Sequence, residues 1–220
     1  MTGLTVTISL RTGAVLCGLL ILTACNSLTS DTIRSFRLLF DEDRNRIPAE
    51  RVNDPRADTL LVSTASAQGL FIAPPGSHGQ IQWRGVTEQL ETDNGRITQL
   101  VGMDVDVLVP LAANDPFRSG LIGVADGTRI SRLVDLPLTY QTGLHQEAVY
   151  YRGPLEAIGQ QSLQRIDEHI RMEQIGFQTT NYYWLDPDTG RVRRSIQNPA
   201  PGLPRFDLLF THQPARGKQP

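Results

Sequence analysis

Short apolar stretches separated by turn-forming residues are the feature of this sequence that most restricts its fold. Residues 57–65 and 69–73 are apolar runs, and Ile81 and Trp83 alternate with polar neighbours. Asp93-Asn94-Gly95 follows, which is a strong hairpin signal because Asn and Gly accept the positive φ angles of a two-residue turn. Strands that recur about every ten residues, with few helical patterns, predict an antiparallel barrel-like or sandwich domain.

The second half of the sequence shows the same short apolar stretches separated by turn-forming residues. Further strands are predicted by the same alternation at residues 103–109, 134–140, 147–152 and 206–210. Pro137 predicts that its strand lies at a sheet edge or contains a bulge, because proline cannot donate to the ladder. A second hairpin joins residues 181–185 to 191–196 through the turn 186–190. The spacing of apolar residues over 163–175 fits both a helix and a strand.

The N-terminus has the layout of a secretory signal. Arg11 precedes an apolar core of 9 residues, 14–22, which ends at small residues. A membrane-spanning helix needs roughly 20 residues, so we expect cleavage rather than a retained span. Leu22-Thr23-Ala24-Cys25 resembles the lipobox of bacterial lipoproteins, which implies that Cys25 is acylated. By the same resemblance, Asn26 implies sorting to the periplasmic face of the outer membrane.

Cleavage before Cys25 would leave 196 of the 220 residues, a length that suits a single domain. We predict a signal peptide over residues 1–24 and a lipidated tether over 25–30. A β-rich domain over 31–211 would begin with a short helix, and residues 212–220 would form a disordered tail. Cys17 lies in the signal and Cys25 becomes a thioether, so no thiol remains for a disulfide, a nucleophile or a zinc site.

The sequence lacks the motifs of common catalytic sites. It has no G-x-S-x-G elbow, no phosphate-binding glycine loop and no H-E-x-x-H, and its four His are scattered. The predicted mature chain carries a formal net charge of −3, because only Arg11 is lost from a total of −2. A slightly negative net charge does not indicate a nucleic-acid-binding protein, which is typically basic. We therefore predict a non-enzymatic protein with no cofactor and no metal.

The aromatic residues of the second hairpin are the candidate binding surface. Tyr182, Tyr183 and Trp184 are consecutive, so their side chains alternate between the two faces of a strand. Those on the outer face, beside Arg191, Arg193 and Arg194, could contact a glycan or a protein partner. The alternative is that the rings pack in the core and the arginines are solvated.

Two segments resemble one known family. Tyr183-Trp184-Leu185-Asp186, the turn to Gly190 and residues 191–197 are similar to the C-terminal hairpin of the YjbF/GfcB-type, or group 4 capsule polysaccharide, lipoproteins. Gly95-Arg96-Ile97 and Gly102-Met103-Asp104 are similar to a mid-chain segment of that family. The resemblance extends from about residue 31 to residue 210, and residues 114–132 have no clear counterpart.

The resemblance implies a barrel-like antiparallel domain, with strands over residues 163–175. It also implies a lipid-anchored accessory in exopolysaccharide or capsule secretion, beside an outer-membrane export component and periplasmic partners. No catalytic residues are implied.

Two other hypotheses remain open from the sequence. One is a lipid or lipoprotein carrier, which requires a continuous apolar cavity. The other is a glycan-modifying enzyme that uses Asp104 and Asp106, whose carboxylates would lie about 7 Å apart on one face of a strand. If replacing both Asp residues with Asn left polymer export and polymer length unchanged, the enzyme hypothesis would be excluded.

Overall fold

The computed structural model describes residues 57–211 except 75, 76, 78 and 103–105. In this part of the chain, twelve antiparallel strands close into a barrel in which each strand pairs with the next and β12 pairs with β1. The strands are β1 Asp58–Ser63, β2 Gln68–Ala73, β3 Gln80–Arg84, β4 Gln89–Asp93, β5 Arg96–Val101, β6 Val107–Leu108, β7 Arg129–Leu136, β8 Gln141–Ile158, β9 Gln161–Met172, β10 Phe177–Leu185, β11 Val192–Gln197 and β12 Phe206–Phe210.

This architecture confirms the predicted mainly β, antiparallel fold and decides for the barrel over the sandwich. The predicted N-terminal helix, Cys25 and the tail over 212–220 lie outside the described residues.

Helical structure is limited to single turns in the part of the chain that the structure describes. The short helix α1, Pro116–Ser119, is followed by a 3-10 turn, Leu121–Gly123, and two more such turns are Pro137–Thr139 and Glu173–Ile175. Asp115 caps α1, because its Oδ1 accepts the backbone N–H of Phe117 at 3.2 Å. None of these helices has the length and apolar character needed to cross a membrane.

Both predicted hairpins are confirmed. Asp93 pairs with Arg96, and the two residues between them have positive φ angles, 47° for Asn94 and 90° for Gly95. The second hairpin joins β10 to β11. The ambiguous segment 163–175 is a strand as far as Met172, as the family resemblance implies.

Two predicted strands are shorter than expected. β6 contains only Val107 and Leu108, while residues 103–105 lie outside the described residues. The strand expected to continue to Tyr140 ends at Leu136, because Pro137 has no N–H for the ladder and begins a 3-10 turn. A bulge does occur between Val134 and Leu136, but the closed barrel gives this strand no free edge.

Strands β5 and β11, which lie opposite each other around the barrel, are in direct contact across the interior. The side chain of Gln197 donates from Nε2 to the carbonyl of Gly95 at 2.8 Å. Its Oε1 accepts the backbone N–H of Ile97 at 2.9 Å. Each of these two strands is six positions from the other in either direction. The contact therefore divides the interior into two parts.

The two parts of the interior differ in chemistry. The part enclosed by β12 and β1–β4 is mainly apolar, and Trp83 packs edge-on against Phe210 with 5.9 Å between ring centroids. The part enclosed by β7–β10 contains the buried ion pairs of Arg96 and Arg132 with Glu168.

The connection from β6 to β7, residues 109–128, covers one end of the second part of the interior, and we call it the plug. Phe117 is fully buried there, with its ring edge-on to Tyr183 at 4.9 Å and to Tyr150 at 6.2 Å. Asn94 holds the connection in place by donating from Nδ2 to the Phe117 carbonyl at 2.8 Å. Residues 114–132, which had no clear family counterpart, therefore form most of this plug and the start of β7.

We predict that Gly95→Ala destabilises the barrel strongly. A Cβ on Gly95 would lie 2.6 Å from Cβ of Val192, on a backbone with φ of +90°. Gly127→Ala is the matched control, because φ is +77° there but no atom lies within 4 Å of the added Cβ. The control should cost about 1–2 kcal/mol for the backbone alone, and Gly95→Ala about 1–3 kcal/mol more for the overlap. If urea unfolding showed equal losses of unfolding free energy for the two variants, the close approach of Val192 on β11 to Gly95 would be contradicted.

Candidate functional site

A carboxylate in the centre of the polar part of the barrel accepts hydrogen bonds from five side chains. Glu168 is fully buried, and every partner is also buried. The donors are Arg96 Nη1 at 2.6 Å, Arg132 Nη1 at 2.7 Å, Tyr183 Oη at 2.8 Å, Asn181 Nδ2 at 2.9 Å and Tyr150 Oη at 3.0 Å. These residues come from β5, β7, β8, β9 and β10, so one carboxylate ties five strands together.

The charges in this cluster balance. Burial by itself raises the pKa of Glu168, but Arg96 and Arg132 outweigh burial and hold the pKa at about 2. Asp115 accepts from Nε of Arg132, so two cations face two carboxylates. Burial also raises the pKa of Tyr183, which keeps its phenol protonated as a donor. A buried carboxylate with a low pKa is a poor general base, so we interpret the cluster as structural.

The structure separates the predicted site residues. Tyr183 points into the barrel and is fully buried, whereas Tyr182 and Trp184 point outwards. Arg191 and Arg193 lie at the start of β11, and Nη2 of Arg193 donates to Oδ2 of Asp186 at 3.1 Å in the β10–β11 turn. The arginines over the two outer rings are Arg165 and Arg205, at Tyr182, and Arg194, at Trp184.

An open groove of about 660 Å³ follows the outer face of β9–β12. Its lining includes both outer aromatic residues, Tyr182 and Trp184, together with Arg165 and Asp167 of β9, Asp207 of β12 and Arg205 just before β12. Residues 63–65, at the end of β1, complete one side.

Guanidinium groups cover the aromatic rings of this groove. Cζ of Arg165 and of Arg205 lie 5.6 and 5.3 Å from the ring centroid of Tyr182. Cζ of Arg194 lies 5.2 Å from the ring of Trp184, which is only 7% exposed. Such cation–π contacts are worth about 0.5–1 kcal/mol at exposed sites. The rings are therefore engaged in holding arginines rather than free to stack on a sugar.

Two of the three arginines are neutralised by carboxylates. Arg165 donates from Nε to Asp167 at 2.8 Å and forms an ion pair with Glu156, and Arg194 makes two bonds to Asp207 at 2.9 and 2.5 Å. The hydrogen bond that Arg165 donates to Asp167 raises the pKa of Arg165.

Arg205 differs from these two. It is exposed, it donates from Nη2 to the carbonyl of Thr180 at 3.1 Å, and it forms no ion pair with any described residue.

A second open groove, of about 490 Å³, is lined by residues of β7–β10 and so shares β9 and β10 with the first groove. Its lining includes Arg129, Glu147, His169, Arg171 and Thr180. Thr180 also accepts the hydrogen bond from Arg205, so this arginine lies where the two grooves approach each other.

Sequence reasoning missed Arg165 and Arg205 because they are distant in sequence from the hairpin. Strand register brings Arg165 to the hairpin, because Trp184 pairs with Arg165 on one side and with Arg194 on the other. The alternation rule did separate Tyr183 from its two neighbours. Among the described residues, no group of His, Cys, Asp and Glu has the arrangement of a metal site.

The fold and these surfaces define a closed antiparallel β-barrel domain with an outer groove lined by arginine, aspartate and aromatic side chains. The chain belongs to the family of group 4 capsule polysaccharide lipoproteins (gfcB, YjbF), whose sequence model matches residues 31–210. This confirms the resemblance of its two quoted segments.

A crystal structure of the hypothetical lipoprotein YmcC from Escherichia coli K12 is similar, with a TM-score of 0.66 and 20% sequence identity. The match covers 78% of this chain and 91% of that one. At this identity the likeness shows the fold alone. No protein with a curated description matches the sequence significantly.

We predict that Glu168→Gln destabilises the protein most at neutral pH. The substitution leaves two buried guanidinium groups with too little negative charge, which should cost about 3–5 kcal/mol at pH 7. The lowered pKa of Glu168, about 2 against an ordinary 4.5, stabilises the fold above pH 4.5. This stabilisation is lost as pH falls towards 2.

The difference in unfolding free energy between wild type and Glu168→Gln should therefore shrink between pH 5 and pH 2. Urea unfolding at pH 7, 5 and 3 measures it. A difference that stays constant with pH would show that the ionised carboxylate does not stabilise the fold.

Proposed function

We propose that this protein is a non-enzymatic, lipid-anchored accessory in the secretion of capsule polysaccharide or exopolysaccharide. The observation that carries the proposal is the outer groove, which presents arginines beside Tyr182 and Trp184 on a rigid sheet. Its support from relatives is the description of the family, which refers to capsule polysaccharide lipoproteins. The groove would contact the polymer, and an outer-membrane export component and periplasmic proteins would be the partners.

The anchor in this proposal is Cys25. Its lipobox and Asn26 support attachment to the periplasmic face of the outer membrane. Two or three acyl chains hold a protein durably, because each buried methylene contributes about 0.8 kcal/mol. The barrel would then act close to the membrane through which the polymer leaves.

The carrier hypothesis is disfavoured by the interior. An acyl chain needs an apolar passage, but the β5–β11 contact crosses the middle of the barrel. One of the two parts that remain contains the ionised cluster around Glu168.

The enzyme hypothesis gains no support from the described residues. Asp104 lies outside them, and Oδ1 of Asp106 accepts the backbone N–H of Gly102 at 3.0 Å in a turn.

The proposal predicts that deleting the gene in its native host lowers extracellular polysaccharide under inducing conditions. Wild-type protein should restore the polymer. Cys25→Ser should not incorporate labelled palmitate, should leave the membrane fraction and should fail to restore export. The measurements are the amount of extracellular polymer and the membrane partition of each variant.

Two results would contradict the proposal. Unchanged polymer in the deletion strain would exclude a role in secretion. Full restoration by a Cys25→Ser protein that is soluble and present at normal level would exclude the need for the anchor.

A further inference from the structure

We propose that the outer groove recognises a polysaccharide that carries acidic groups, and that Arg205 binds them. This inference rests on the proposed function and adds the chemical class of the polymer. The groove would bind carboxylate-bearing sugars and discriminate against the same sugars without charge.

The first observation is the state of the aromatic rings. A sugar ring can stack only on an aromatic face that is open to solvent. Here Tyr182 lies under two guanidinium groups, and Trp184 is 7% exposed, with Arg194 over its ring and its Nε1–H donated to Glu156 at 2.7 Å. A ligand would therefore meet the arginine edges, together with the carboxylates of Asp167 and Asp207, which are already paired with Arg165 and Arg194.

The second observation is the availability of those edges. Arg165 and Arg194 have acidic partners, so their charges are already compensated. Arg205 is exposed and has no acidic partner among the described residues. One of its two terminal nitrogens is held by the carbonyl of Thr180. The remaining N–H groups can form the charge-assisted bonds that guanidinium makes with a carboxylate.

The third observation is preorganisation. The Tyr182 ring supports the Arg205 guanidinium and the Thr180 carbonyl fixes its terminal nitrogen, so little side-chain entropy remains to be lost on binding. Tyr182 is accordingly a positioning residue for Arg205.

The groove is also suited to a chain. It is open rather than enclosed, and a second groove continues along β9 and β10. The lining of this second groove includes Arg129 and His169 together with Glu147 and Arg171, and Arg171 is paired with Glu173 at 2.8 Å. Gln178, in the second groove, and Trp184, in the first, lie six residues apart on β10, which is a distance of about 20 Å. A polymer with several charged units can follow this path, with Arg205 between the two grooves.

Binding of oligogalacturonate to the full-length acylated protein in detergent tests the inference. The matched ligand is the same oligosaccharide as its methyl ester, which keeps the sugar backbone and removes the charge. Calorimetric titration should show saturable binding of the acid, weakened by added salt, and at least tenfold weaker binding of the ester.

Arg205→Gln should lower the affinity for the acid roughly tenfold or more, which is the range for losing a charge-assisted bond. Arg84→Gln is the matched control and should change nothing, because Arg84 is an exposed arginine on the distant strand β3. Tyr182→Phe keeps the ring and should retain binding, whereas Tyr182→Ala should weaken it as Arg205→Gln does. Thermal unfolding of each variant shows that it is folded.

Three outcomes would overturn the inference: equal affinity for acid and ester, no binding of the acid, or unaltered binding by Arg205→Gln. Crosslinking from position 205 in cells is a further test, and capture of a protein without any polymer would overturn the inference as well. Each of these leaves the proposed function standing if the deletion strain still loses its polymer. Unchanged polymer in that strain would instead remove the proposed function itself.

Discussion

The ionised carboxylate of Glu168, held between Arg96 and Arg132, is the interaction on which the rest of the barrel depends. It accepts hydrogen bonds from residues of four other strands, and Arg132 connects it to Asp115 in the plug. A buried ion pair is weak evidence for stability by itself, because desolvation offsets the attraction. Its contribution here is geometric: removing Glu168 would leave two buried guanidinium groups with too little negative charge, so the strands that surround it keep one register.

That register determines what the outer surface presents. Along β9 and β10, each residue that points into the cluster is followed by one that points outwards. Glu168 and Tyr183 are inside, while Asp167 and Tyr182 belong to the groove. A shift by one residue would exchange the two sets. The acidic and aromatic residues that position the groove's arginines are therefore fixed by the same contacts that fill the interior.

Local patterns predicted the strands wherever local chemistry decides them. Asn94-Gly95 defined a hairpin through its φ angles, and Tyr182 and Tyr183 were assigned to opposite faces by alternation. Pro137 gave a correct signal for a bulge but not for the end of β7. Long-range pairing was invisible: nothing near Trp184 in sequence points to Arg165. The plug was also missed, since Asp115 and Phe117 acquire their roles only through contacts with Arg132 and Tyr183.

The central claim is that the barrel presents Arg205 to an acidic polymer. Its most direct test is an NMR titration that observes the Nε–Hε signals of the arginine side chains while oligogalacturonate is added. We predict a saturable shift of the Arg205 signal, no shift for the buried Arg96 and Arg132, and no response to the methyl ester. A shift that is equal for acid and ester, or that occurs at arginines away from the groove while Arg205 is unchanged, would contradict the account.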